Sequence, residues 1–375
     1  YPGRHGITSN LQFLPGHSEP LPWQWFSKSI RVPDLFTAAK QAGKTTAAVF
    51  WPVTGNHPDI DYLVDEYWSQ GLDDTPMDAF ARSGTSPEVL QAAVLPFVGE
   101  LQERKHPSCD YFITRCASAI LRTFRPDLLM IHPANIDAYR HQNGLFHEQV
   151  RRGIEECDVF LGRIAEAAID AGVWENTNLV MVSDHGQINV CRSMNLNVFF
   201  AEQGLISVNS AGEVTDWEAW CQAWGASACV VLRNPSDREL YDKVYSLLLR
   251  LRDDGLYGFE RVWTEEEAWE KEHLRGNFSF VLETDGYTTF GENWQRPMVR
   301  PCDNSDYRAG TATHGHDPDK GPQPIFCAKG PAFRENVRLE RGRLVDEAPT
   351  FAQLLGTSLP EADGQVMWEF LRDSE

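Results

Sequence analysis

The 375-residue chain is 42% apolar and 23% charged, a mix that builds an ordinary folded core and excludes both a single small module and a disordered chain. A formal net charge of -20 repels a nucleic-acid duplex, although bound cations can invert such a field inside a pocket and admit a small phosphate ester. No apolar run reaches the roughly 20 residues needed to cross a bilayer, and eight scattered cysteines without a C-x-x-C pair favour reduced thiols in the cytoplasm.

The first residues, Tyr1-Pro-Gly-Arg-His-Gly-Ile, carry neither an initiator Met nor a signal peptide and read as the middle of something, so export stays open. Asp34 to Ala42 reads as a short helix closed by Gly43, leading into an apolar strand from Thr46 to Trp51. Ser86-Pro87 supplies an N-cap and first-turn proline for a helix that Pro96 should kink. A further helix runs from Pro107-Ser108 to about Phe124, stopped by Arg125-Pro126-Asp127. The short apolar run Leu128 to His132 is a second core strand. Val150, Ile154, Cys157, Leu161, Ile164 and Ala168 recur at helical spacing, and Gly172 ends that helix. Leu179 to Ser183 reads as a buried parallel strand, followed by Asp184-His185-Gly186-Gln187, where glycine allows a sharp turn with room for a ligand near the backbone.

From Cys191 to about Gly310 the rhythm loosens. Ser236 and Glu239 form a capping box, Leu240, Val244, Leu247 and Leu251 continue one helical face, and Ala228–Leu232, Phe278–Leu282 and Tyr287–Phe290 read as strands. The core pattern resumes with a strand at Ile325–Ala328 and a helix over Asp346–Gly356. The reading is an α/β fold: a mostly parallel central sheet with helices on both faces, formed by residues 1–190 and 311–375, and an inserted smaller α+β lobe at 191–310.

Three stretches place carboxylates or imidazoles beside predicted strands: Asp137 with His141, Asp184 with His185, and His314 in Thr-His-Gly-His-Asp-Pro. A four-residue offset puts Asp137 and His141 on one side of a helical turn. Two Asp and three His make an oxygen and nitrogen donor set that suits zinc, with manganese or iron as alternatives. Each piece also has an ordinary reading: Asp137 as a helix cap, His141 as a surface residue, His314 as a loop histidine, and His316-Asp317 as part of a tight turn. The remaining histidines, His57, His106 and His132 among them, have no partner visible in the sequence.

Asp137-x-x-x-His141, Asp184-His185-Gly186 and His314-Gly315-x-Asp317, followed by Ile325-Phe-x-Ala328-x-Gly330-Pro331-x-Phe333, resemble the type I phosphodiesterase and nucleotide pyrophosphatase family of the alkaline phosphatase superfamily. Tyr1-Pro2-x-x-His5-Gly6-Ile7 with Asn10, Phe50-Trp51-Pro52 and Val345-Asp346-x-Ala348-Pro349-Thr350 agree with it. The resemblance implies an alkaline phosphatase-like fold and two zinc ions, one held by Asp137, His141 and His314, the other by Asp184, His185, an early Asp and a Thr or Ser nucleophile. It also implies that Asn10 donates to a phosphoryl oxygen, and that the nucleophile and early Asp lie upstream of Tyr1. The implied activity is hydrolysis of phosphodiesters or nucleotide pyrophosphates. Phosphonoacetate-type phosphonate hydrolysis and phosphomonoester hydrolysis on the same scaffold stay open, as does a catalytically inactive metal-binding or partner-binding chain.

Overall fold

A computed structural model describes residues 1–17, 22–303 and 310–372. Helix α1 (Leu35–Gln41) is capped by Asp34, whose side chain accepts from the Thr37 amide and meets His57 Nε2 at 2.8 Å. It leads into β1 (Thr46–Val49), buried along its whole length and paired parallel with β2 (Tyr62–Val64) and with β3 (Leu128–Ile131). Side chains alternate across β1. Ala47 and Val49 face the long helix α2 (Ser108–Phe124), packing with Phe112, Ile113, Cys116 and Ile120, while Ala48 faces Phe36 of α1. Helices thus cover both faces of this parallel sheet. A buried Phe or Ile there is worth about 1.5–3 kcal/mol relative to an exposed one.

After β3 come α3 (Asn135–Asn143) and α4 (Glu148–Asp170), the latter packed on α2. The buried face of α4 is Val150, Gly153, Phe160, Ile164, Ala167 and Ala168, with Ile154 left 55% exposed. Small Gly153 and bulky Phe160 fill the contact that the apolar spacing alone assigned to Ile154 and Leu161.

The strand β4 (Leu179–Val182) departs from its expected role. It pairs antiparallel with β11 (Phe326–Lys329), in a sheet separate from β1–β3 among the described residues, and Met181 is 40% exposed. A continuous apolar run suits a parallel strand buried on both faces, but β4 is only half-buried, and a short apolar run of that kind serves an antiparallel partner as well. The segment after Ser86 also differs. Its helix is only Pro87–Val89, continues as a π-helical turn through Val94, and ends before Pro96 instead of kinking at it.

Following β5 (Ile188–Asn189), the chain builds a four-stranded antiparallel sheet, in the order β8-β9-β7-β6, from β6 (Ala219–Ala223), β7 (Ser227–Leu232), β8 (Phe259–Thr264) and β9 (Phe280–Thr284). Helix α5 (Arg238–Asp253) buries Val244, Leu247, Leu248 and Leu251 against Trp220, Val230, Phe280 and Leu282. Its cap is Asp237, which accepts from the Leu240 amide, so the Ser236–Glu239 box is replaced by a neighbour with the same chemistry. The short β10 (Ala312–Thr313) pairs antiparallel with β5, and α6 (Glu347–Leu354) lies near the end of the chain. No helix among the described residues is long and apolar enough to cross a membrane.

Candidate metal centre

Asp137 is the third residue of α3 and His141 the seventh, so one helical turn stacks them on the same side. His141 Nε2 lies 3.4 Å from Asp137 Oδ1. The third member arrives from 173 positions further on. Thr313 pairs with Ile188, and this β5–β10 ladder sets His314 beside the loop that holds Asp184 and His185. His314 Nε2 comes within 3.9 Å of Asp137 Oδ1. One ligand atom from each of Asp137, His141 and His314 lies within 4.8 Å of the others, the single such group of three among the described residues.

Each of the three residues is tied to a different segment, Asp137 and His141 through their side chains and His314 through its backbone. Gln187 Nε2 donates to Asp137 Oδ1 at 2.6 Å. His141, 1% exposed, donates from Nδ1 to the Ala312 carbonyl at 2.7 Å, which turns Nε2 toward Asp137. The carbonyl of His314 accepts from the Ala226 amide at 2.7 Å. Metal-binding histidines are commonly oriented by such a bond at the other ring nitrogen.

Asp184 and His185 stand next to this cluster. The His185 ring stacks on His314 with centroids 3.7 Å apart and planes 19° from parallel, and its Nε2 is 3.2 Å from Asp184 Oδ2. The structure therefore gathers Asp137, His141 and His314 closely and places His185 and Asp184 alongside. Asn10 sits on an exposed bend, its carbonyl accepting from the Gln24 amide at 2.7 Å.

Burial opposes ionisation of Asp137, but the hydrogen bond and charge of His141, with His314 and His185 beyond, hold its carboxyl well below the usual range. Burial, reinforced by the neighbouring His185, pushes the His314 imidazole down to about 3. A neutral imidazole and an ionised carboxylate are the forms that bind a divalent cation. Burial also works against Asp184, yet His185 brings its carboxyl down to about 2, and Asp184 in turn raises His185 against the burial of that ring. Donor types, protonation and convergence all fit a zinc-like ion.

Gly186 is needed for a reason other than ligand space. A Cβ there would lie 1.8 Å from the Pro322 carbonyl oxygen, so another stretch of backbone fills the place. Asp317 caps the turn at Pro318–Lys320, donates its amide to Glu283 Oε1 at 2.9 Å and pairs with Arg261, which makes it a tether of the His314 loop to the antiparallel sheet. His57, His106 and His132 do have partners: His57 pairs with Asp34, His106 with Asp110, and the His132 ring meets Trp51 edge-on. Sequence reasoning gave Gln187 no role. Its position directly after Asp-His-Gly was the available signal.

Residues 1–317 match the family described as type I phosphodiesterase / nucleotide pyrophosphatase. Ectonucleotide pyrophosphatase/phosphodiesterase 1 of Saccharomyces cerevisiae is 25% identical over 359 residues, which cover 89% of this chain and 45% of that protein. The chain thus spans less than half the length of this curated relative. Among solved structures, human ectonucleotide pyrophosphatase / phosphodiesterase 5 aligns with a TM-score of 0.65 at 18% identity, covering 100% of this chain and 85% of that one. Phosphonoacetate hydrolase from Sinorhizobium meliloti 1021, solved with phosphonoacetate, gives 0.60 at 17% identity, covering 96% and 81%. The chain shares the fold of these two structures.

Proposed function

The chain belongs to the type I phosphodiesterase / nucleotide pyrophosphatase family, and from that premise we propose that it is a metal-dependent hydrolase of phosphodiester or nucleotide pyrophosphate bonds in small-molecule phosphate esters. The observation that carries the reading is the convergence of Asp137, His141 and His314 within 4.8 Å. In this proposal those three residues hold one zinc ion, while Asp184 and His185 contribute to a second. The family resemblance assigns an early Asp and a Thr or Ser nucleophile to that second site as well. When bound, the cations supply Lewis acidity, which polarises a phosphoryl group and favours in-line displacement.

The rest of the work falls to the chain's own groups. Gln187 orients the Asp137 carboxylate, Ala312 selects the His141 tautomer, and the stacked His185 limits rotation of the His314 ring. Asn10 is assigned as an uncharged donor to a phosphoryl oxygen. Residues 191–310 are read as the inserted lobe that shapes substrate choice.

The test incubates the chain, and a form extended upstream, with zinc and bis-p-nitrophenyl phosphate, p-nitrophenyl phosphate or phosphonoacetate. Diester turnover that is lost on chelation and in Asp137→Ala supports the proposal. Preference for the monoester or phosphonoacetate reassigns the substrate while keeping the site, and no turnover by either form with any of the three refutes a hydrolase.

A further inference from the structure

The helix that carries two of the three candidate ligands cannot close its own first turn. α3 follows Ala134, a residue without a side-chain acceptor, and no side chain of its own caps it. Its first amides are orphan donors, and they lie in a buried setting, with Asn135 only 1% exposed. The missing acceptor comes from another helix. Asp110, in the first turn of α2 and 0% exposed, accepts at Oδ1 from the amides of Ala134 at 2.7 Å and Asn135 at 3.1 Å. Its other oxygen, Oδ2, lies 2.7 Å from His106 Nδ1.

A second set of bonds joins α3 to α4. Asn135 Nδ2 donates to the Gly153 carbonyl at 3.1 Å and to Glu156 Oε2 at 2.8 Å, and the Tyr139 hydroxyl donates to the same Glu156 oxygen at 3.1 Å. The far end of α3 is tied independently, because the His141 carbonyl accepts from the Thr311 amide and its ring bonds Ala312. The two ligands on α3 are therefore secured by different parts of the fold. His141 depends on β10, whereas Asp137, two residues beyond Asn135, follows whatever holds the first turn.

We propose that Asp110, held by His106, is a positioning residue for divalent-cation binding: its carboxylate caps α3 from a neighbouring helix and thereby sets Asp137 against His141 and His314. This inference rests on the metal reading above. Removing the cap leaves two buried amides without their acceptor, and the first turn must unwind or tilt toward water to satisfy them. Asp137 then leaves its place while His141 keeps its own.

Zinc calorimetry, the visible spectrum of a Co2+-loaded form and urea unfolding of the metal-free protein would be compared for wild type, Asp110→Ala, Asp110→Asn, His106→Ala and Asp137→Ala. Asp110→Ala should raise the zinc Kd on the order of 10–100-fold, as loss of an outer ligand support does elsewhere, and should weaken the Co2+ bands. Asp110→Asn keeps one accepting oxygen and should fall between Asp110→Ala and wild type. Folded Asp110 and His106 variants that show reduced stability but wild-type Kd and Co2+ spectrum would overturn the proposal and leave Asp110 a purely structural residue. Should Asp110→Ala fail to fold, Asp110→Asn and His106→Ala decide on the same two readouts. If wild type and Asp137→Ala bind zinc alike, the metal reading itself falls and the positioning role with it. If only Asp137→Ala loses zinc, the metal reading stands and the positioning role alone is wrong.

Discussion

The contact between Gly225 and His314 offers a direct test of whether the antiparallel sheet holds the candidate centre in place. Gly225 has φ +88, and a Cβ there would lie 2.5 Å from the His314 carbonyl oxygen and 2.9 Å from Thr313 Oγ1. The substitution Gly225→Ala therefore brings two costs together. The left-handed backbone is unfavourable for alanine by roughly 1–2 kcal/mol. Restoring an ordinary contact also pushes the His314 carbonyl away by about 1 Å, which breaks its hydrogen bond from the Ala226 amide and adds about 1–3 kcal/mol. Metal-free Gly225→Ala should accordingly lose on the order of 2–5 kcal/mol in urea unfolding. Zinc affinity measured by calorimetry on the folded fraction should fall roughly 10-fold or more, because a displaced His314 no longer meets Asp137. A variant within about 0.5 kcal/mol of wild type, with the same zinc Kd, would show that the sheet and the His314 loop separate freely and that the close approach fixes nothing.

Gln187 beside the candidate centre and Glu292 beside the antiparallel sheet each give a further measurable consequence. Gln187→Leu removes the 2.6 Å donor to Asp137 while keeping a buried side chain of similar size, so it should weaken zinc binding about 10-fold; an unchanged calorimetric Kd would refute the role given to Gln187. Burial pushes the Glu292 carboxyl, 8% exposed beside Trp220 and the Ala223 amide, from 4.5 up to about 7. With the folded value above the unfolded one, this group's contribution is present below about pH 4.5 and is lost as pH rises through about 7. Glu292→Gln should remove up to about 3 kcal/mol of that loss, read as a flatter dependence of urea-unfolding stability between pH 5 and 8. Identical slopes in wild type and variant would refute it.

The elements legible in the sequence are those with local punctuation. Asp34 and Gly43 bracket α1, and the Arg125-Pro126 pair separates α2 from β3. Strands β6 and β8 were missed because each interrupts its apolar residues with polar ones, Gln222 in the first, Glu260 and Arg261 in the second. Gln222 is buried even so, and no local pattern reports that. The expected strand at Phe278 begins two residues later, at Phe280, where pairing with Val230 sets the register. As for the site, a four-residue offset made Asp137 and His141 a pair, but nothing local brings His314 to them. That meeting depends on the two-residue ladder between β5 and β10, which is too short to read from composition.

The three proposed ligands differ in what supports them, and this bears on how such a centre tolerates change. Asp137 depends on an amide from the segment after β4, His141 on the β10 backbone, and His314 on an amide between β6 and β7. His141 and His314 both lean on β10, so a perturbation there should move two of the residues, whereas loss of the Gln187 donor should move Asp137 and leave the two imidazoles facing each other. Cation binding needs all three positions at once. A loss at any one support therefore removes most of the affinity, and a second loss has little left to remove, which is the non-additive behaviour expected of groups that act as a unit.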